Sequence, residues 1–194
     1  MIDRIKGVLL LDKETFNEVA HDTGANGQAT LVVIIASILA ALGWAASSFF
    51  ASLSMDLNPW RLELGSPIVA FIGVSFWSIM AWLIWAAAIY IVGAKIFSGK
   101  ATFGAMVRVT GFAFAPLGFM ILGVIPGIGF ALSFALTLVV SVWTLAAVFV
   151  GMRECLDFDS GKTLVTALIG WLIYLIGTGI VVMVFAGLTL DFLN

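Results

Sequence analysis

Four long stretches of this chain contain no Asp, Glu, Lys, Arg or His: 23–55, 64–94, 109–152 and 163–190. A helix rises about 1.5 Å per residue, so about 20 residues cross a hydrocarbon core of about 30 Å. Three of the stretches therefore hold one crossing each. The stretch between Arg108 and Arg153 has 44 residues, about 66 Å as a helix, which suits two crossings joined by a turn. Pro126-Gly127 near its middle supplies that turn. The expected spans are 30–53, 67–94, 107–125, 128–151 and 163–189. The fold expected is an all-α polytopic membrane helix bundle with about five transmembrane helices.

Composition excludes the alternatives. Apolar residues make up 62% of the 194 and charged residues 10%, and mean hydropathy is +1.18, whereas a soluble globule carries about a quarter charged residues. A net charge of −2 without a basic patch argues against a nucleic-acid partner. One cysteine excludes an intramolecular disulfide framework. The apolar run Gly7-Val-Leu-Leu-Leu11 is too short for a cleavable signal and is followed directly by Asp12-Lys13-Glu14.

Orientation follows from where Lys and Arg sit, since cytoplasmic loops carry the excess. Arg4, Lys6, Lys13, Lys95, Lys100, Arg108, Arg153 and Lys162 fall on one face, and Arg61 alone on the other. This pattern expects the N-terminus in the cytoplasm and the C-terminus outside. Residues 1–22 read as an interfacial amphipathic segment, with Ile2, Ile5 and Leu9 on one face, and residues 23–194 as the five-helix transmembrane domain, the whole forming one compact bundle. Asp12 is placed to cap a second short helix that turns Phe16 and Val19 inward. Ser66-Pro67 is a good start for the second span, and Asn58-Pro59-Trp60 reads as a turn with an interfacial anchor.

The search for chemistry is largely negative. No ionisable residue is expected at depth, which argues against a proton relay or pump. His21 is the only histidine, and its expected role is that of a solvated interfacial side chain rather than a haem ligand. Cys155 reads as a plain reduced thiol, with reversible acylation as the alternative. Gly93-Ala-Lys-Ile-Phe-Ser-Gly99-Lys100 is one residue too long for a phosphate loop and lacks its hydroxyl, and Asp157-Phe-Asp159-Ser-Gly161 lacks the closing glutamate of a calcium loop. No enzyme, metal site or cofactor is expected.

Packing signals are stronger. Gly129, Ser133, Thr137 and Ser141 recur every four residues along the fourth span, and Thr166, Gly170, Tyr174 and Thr178 along the fifth, a spacing that lets backbones approach closely. Trp77, Trp82 and Trp85, with Trp44 and Trp143, lie deeper than an interfacial belt and are read as interior filling, with a flat ligand as the alternative. Pro116 cannot donate to the carbonyl of Phe112, so the third span should kink near Gly111, Phe112 and Pro116.

Gly99-Lys-Ala-Thr-Phe103, then Arg108-Val-Thr-Gly-Phe-Ala-Phe-Ala-Pro116, Trp143 in the next span and the upstream Lys13-Glu-Thr-Phe16 resemble the Yip family, the Rab-GTPase-interacting membrane proteins, and in particular its prokaryotic branch. The resemblance implies five spans and a cytoplasmic N-terminus. Eukaryotic members are linked to vesicle traffic, membrane shaping and binding of prenylated Rab GTPases. This chain lacks their long N-terminal region and offers only Leu64-Gly-Ser-Pro67 for their Asp-Leu-Tyr-Gly-Pro motif. The expected function is that of a non-enzymatic protein of Yip type in a prokaryotic cytoplasmic membrane. It would engage lipid, a membrane-protein partner or a second copy through a face bearing Lys95, Lys100, Arg108, Arg153 and Lys162. Alternatives are an accessory subunit of a respiratory or photosynthetic complex and a passive channel or carrier.

Overall fold

Local sequence signals set the starts of the helices. In the computed structural model, which describes residues 1–54, 66–125 and 130–192, two short helices, α1 (Ile2–Leu9) and α2 (Lys13–His21), precede five long ones. Asp12 caps α2 by accepting from the backbone N–H of Thr15 at 3.0 Å. A 3-10 turn leads into α3 (Asn26–Ser54), and Ser66 with Pro67 opens α4 (Pro67–Ile89) as the sequence suggested. Thr102 caps α5 (Phe103–Ala113), followed by α6 (Phe130–Leu156) and α7 (Ser160–Phe192).

Five helical segments are long and apolar enough to cross a membrane: Thr23–Leu53, Pro67–Ile96, Phe103–Val124, Phe134–Leu156 and Ser160–Gly177. They match the expected spans in number and order. The chain is an integral, all-helical membrane protein, with no strand among the described residues. The turn at Pro126-Gly127, Gly129 and the Asn58-Pro59-Trp60 segment lie outside the described residues, as do the side chains of Ser133 and Thr178.

Two spans depart from regular α-helix. The second widens into a π-helix over Tyr90–Ile96. A Cβ on Gly93 would stand 2.6 Å from Leu156 Cδ1, so the missing side chain lets α6 close against this turn. The third span tightens instead: after Ala113 it continues as a 3-10 helix over Ala115–Val124. Pro116 has no N–H to return to Phe112, and the chain switches to shorter bonds, Phe114 N–H to Gly111 O at 3.3 Å and Leu117 N–H to Phe114 O at 2.9 Å. At about 2.0 Å per residue this form gains length while losing width. It brings its backbone directly against α3, where a Cβ on Gly43 would fall 1.8 Å from the carbonyl oxygen of Met120.

Packing is concentrated at the end that carries the positive charges. One continuous core there includes Phe16, Val19, Trp82, Met106, Phe112 and Met152. Towards the other end, among the described residues, a smaller cluster buries Ala40, Met120 and Val140. Exposed apolar residues such as Val139, Val142 and Ile176 cover the outer faces of α6 and α7, which costs nothing in a solvent of acyl chains.

The N-terminal segment packs on the bundle as a hairpin of α1 and α2, with Val8, Phe16 and Val19 fully buried in the main core, Phe16 and Val19 turned inward as expected, and Ile2, Lys6 and Leu10 exposed. Gly151 makes the room: a Cβ there would meet Val109 Cγ1 at 2.3 Å and Phe16 Cδ1 at 2.7 Å.

Candidate functional site

The charged end is organised around Arg108. It stands on the second turn of α5, between Met106 and Val109 in the core, and only 4% of it is exposed. Its Nε donates to Val19 O at 3.0 Å, its Nη2 to Ala20 O and its Nη1 to Asn26 Oδ1 at 3.1 Å. Val19 and Ala20 lie in the last turn of α2, whose carbonyls have no partner within the helix. The guanidinium therefore closes the C-terminus of α2, where the helix dipole favours a cation, and ties it to the start of α3. Its placement corrects its assignment to a partner-facing surface. An arginine only 4% exposed, with Nε, Nη1 and Nη2 each bonded inside the protein, presents no surface to another molecule.

A second cation holds the other side of the hairpin. Arg4, on α1, bonds Glu18 at 2.6 Å and Asp22 at 2.7 Å, and reaches Gln28 at 3.2 Å. The Arg4 guanidinium, then the N–H of Gly24, and more distantly Arg108 hold the Asp22 carboxyl below its ordinary pKa of 3.8. A carboxyl with a lowered folded pKa contributes stability above its unfolded pKa and loses it as pH falls through the folded value. The hairpin should thus keep its protection from protease through neutral and mildly acidic pH, with susceptibility rising only below about 3.9. A hairpin released already near pH 6 would mean that another group controls it.

Four further cations, Lys95, Lys100, Arg153 and Lys162, end or follow the second and fourth spans or open the fifth, at the same end. Lys95, Lys100 and Lys162 are exposed and Arg153 is half-buried. Lys100 bonds Asp157 at 2.6 Å, joining the loops after the second and fourth spans, an exposed pair of small energetic weight. Lys95 lies 5.6 Å from the ring centre of Tyr90, and Lys162 5.8 Å from that of Phe158. The structure brings these lysines to one end of the molecule without joining them into a pocket. His21 is exposed, with Nδ1 2.9 Å from Asn17 O, and Cys155 is buried. Among the described residues no three of His, Cys, Asp and Glu come together.

The tryptophans divide into two sets. Trp82 is interior, its Nε1 donating to Thr110 Oγ1 at 3.1 Å, with Gly111 closely packed beside the ring. Trp143 Nε1 donates to the carbonyl of Leu9 at 3.0 Å while its ring stacks on Phe119, centroids 5.4 Å apart. Trp85, by contrast, joins Phe114 and Tyr174 along a lateral cleft between α4, α6 and α7. Two adjoining cavities of about 320 and 260 Å³ share Trp85 and Leu145, and Ser141 and Thr144 line the second. The small residues of α7 pack on the second span: Thr166 faces Gly93, and Gly170 faces Ile89. Thr137 and Ser141 of α6 are half-buried and exposed, respectively.

Sequence reasoning missed what Arg108, Asn26, Leu9 and Trp143 do together. A usable signal existed for Arg108: Thr102 caps its helix, which puts the arginine two turns in, flanked at helical spacing by Ala105, Val109 and Phe112. None existed for Leu9 and Trp143, which are 134 residues apart.

The family model described as the Yip1 domain matches residues 6–183. No curated protein and no solved structure matches the chain.

Proposed function

Since the chain belongs to the Yip family, with the Yip1 domain covering residues 6–183, we propose that it is a non-enzymatic membrane protein that engages lipid or a membrane-protein partner through its cytoplasmic face. The prokaryotic cytoplasmic membrane is its place, with the N-terminus inside and the C-terminus outside. The observation that carries this reading is the division of labour among the cations. Arg108 and Arg4 are spent on holding the N-terminal hairpin, while Lys95, Lys100 and Lys162 remain exposed at the same end of the molecule. Exposed cations at one end of a packed bundle suit anionic headgroups or an acidic protein surface.

Amine-reactive crosslinking in native membranes tests it. Adducts to a recurrent protein partner or to aminophospholipid should concentrate on Lys95, Lys100 and Lys162, and replacing all three with glutamine should abolish them. Adducts confined to the opposite face, or unchanged by the triple substitution, would remove the proposal.

A further inference from the structure

We propose that the tip of the N-terminal hairpin, Leu9-Leu10-Leu11, sits among the acyl chains of the leaflet on the charged side, entering the bilayer without crossing it. The inference deepens the lipid half of the reading above and rests on it. Its failure would nevertheless leave capture of a partner by the lysines standing.

The position of the tip is fixed by Trp143. Its indole N–H donates to Leu9 O at 3.0 Å, and it stands ten residues before Arg153 in α6, about 15 Å further into the span. Side chains of a helix lean towards its N-terminus, which for α6 is the direction away from Arg153. The hydrogen-bonding nitrogen is therefore no nearer the charged end than its own backbone. The surroundings at that level are those of the bilayer interior. Phe119 of the third span stacks on the same indole, and Val139 and Val142 beside it are 60% and 64% exposed. Leu10, next to the bonded Leu9, is 80% exposed.

The turn itself is built against local preference. Leu11 N–H bonds Val8 O at 3.0 Å and Asp12 N–H bonds Gly7 O at 2.9 Å, the pair of bonds that ends a helix on a left-handed residue. Glycine is the usual occupant of that position, yet here it is Leu11, with φ of 59°. A turn made for water would use Gly, Asn or Asp. Three leucines, one of them strained, suit a turn whose solvent is hydrocarbon.

The charges that follow limit the depth. Asp12, Lys13 and Glu14 are exposed directly after the tip. Phe16, one turn further along α2, already faces Gly151, so α2 climbs back towards Arg153 as it runs. The Lys13 stem adds reach towards the headgroups. The leucines can thus lie among the chains while the charges that follow them stay at headgroup level.

Depth-resolved fluorescence quenching in the full chain tests this. Leu10→Cys and, as references, Asn17→Cys and Lys162→Cys are labelled with a small fluorophore and reconstituted in phosphatidylcholine vesicles. Buried Cys155 stays out of reach of the label. Nitroxide on the upper acyl chain should quench the label at position 10 several-fold more than at 17 or 162, and cobalt ions present on both sides of the vesicles should show the reverse order. Cobalt quenching at 10 equal to that at 162 would overturn the proposal, as would a label at 10 that neither quencher reaches, because protein would then cover it. The unmodified chain gives a second readout free of substitution: a phospholipid with a photoreactive acyl chain should leave adducts on Leu9-Leu10-Leu11. Adducts restricted to the five spans would equally refute it.

Discussion

Replacing Arg108 with methionine is expected to release residues 1–22 from the rest of the molecule. The substitution keeps much of the aliphatic volume but removes donors to Val19 O, Ala20 O and Asn26 Oδ1. Each bond from a charged donor is worth about 1.5–3 kcal/mol, and the two carbonyls close a helix end that water can partly reach. A net loss of about 3 kcal/mol follows. The measurements are the unfolding midpoint in detergent and tryptic cleavage after Lys6 and Lys13, which should become rapid while the spans stay protected. Arg108→Lys should fall between, because one ammonium cannot serve three acceptors set in a fork. Wild-type resistance to trypsin in the methionine variant would show that the apolar contacts, Arg4 and Trp143 hold the hairpin without Arg108.

Gly43→Ala is expected to be as damaging from a smaller change. The added methyl would lie 1.8 Å from Met120 O, a backbone atom within the 3-10 segment that cannot rotate away. Either α3 or the 3-10 segment has to move, and overpacking of this kind costs about 1–3 kcal/mol, with the upper end expected where backbone meets backbone. The contact also depends on Gly123, whose own Cβ would stand 2.7 Å from Gly43 O, so no slack lies on the other side. Gly73→Ala provides the comparison, since nothing lies within 4 Å of its Cβ position. That variant should unfold with the wild type or slightly above it, alanine being the better helix former. Equal midpoints for the two variants would show that the close approach carries no energetic weight.

The number and order of the spans could be read from the sequence because hydrocarbon imposes one rule on every crossing: no charge over about 20 residues. The same reasoning handled Ser66, Pro67 and Asp12, whose effects are local to a helix start. It failed where the decisive partner is remote. The Thr102 cap could place Arg108 on a helix, but only the fold puts the open end of α2 over it. Pro116 announced an interruption, but whether the chain bends or tightens depends on how near α3 can come, which Gly43 and Gly123 decide from different spans. The π-helix at Tyr90 likewise answers to Leu156 and Thr166, far along the chain. The small residues of α7 were recognisable as a packing face, though not which neighbour they would choose.

The hairpin also fixes an order of events. Leu9 is made 134 residues before Trp143, the side chain that seats it, and Val19 89 residues before Arg108. At roughly 5–20 residues per second, the leucine tip waits on the order of ten seconds for its seat to be synthesised. Docking of the N-terminal hairpin is therefore a closing step of biogenesis rather than its beginning. In that interval a lipid surface, or whatever factor shields apolar segments beside the ribosome, has to hold three leucines that the finished protein later places.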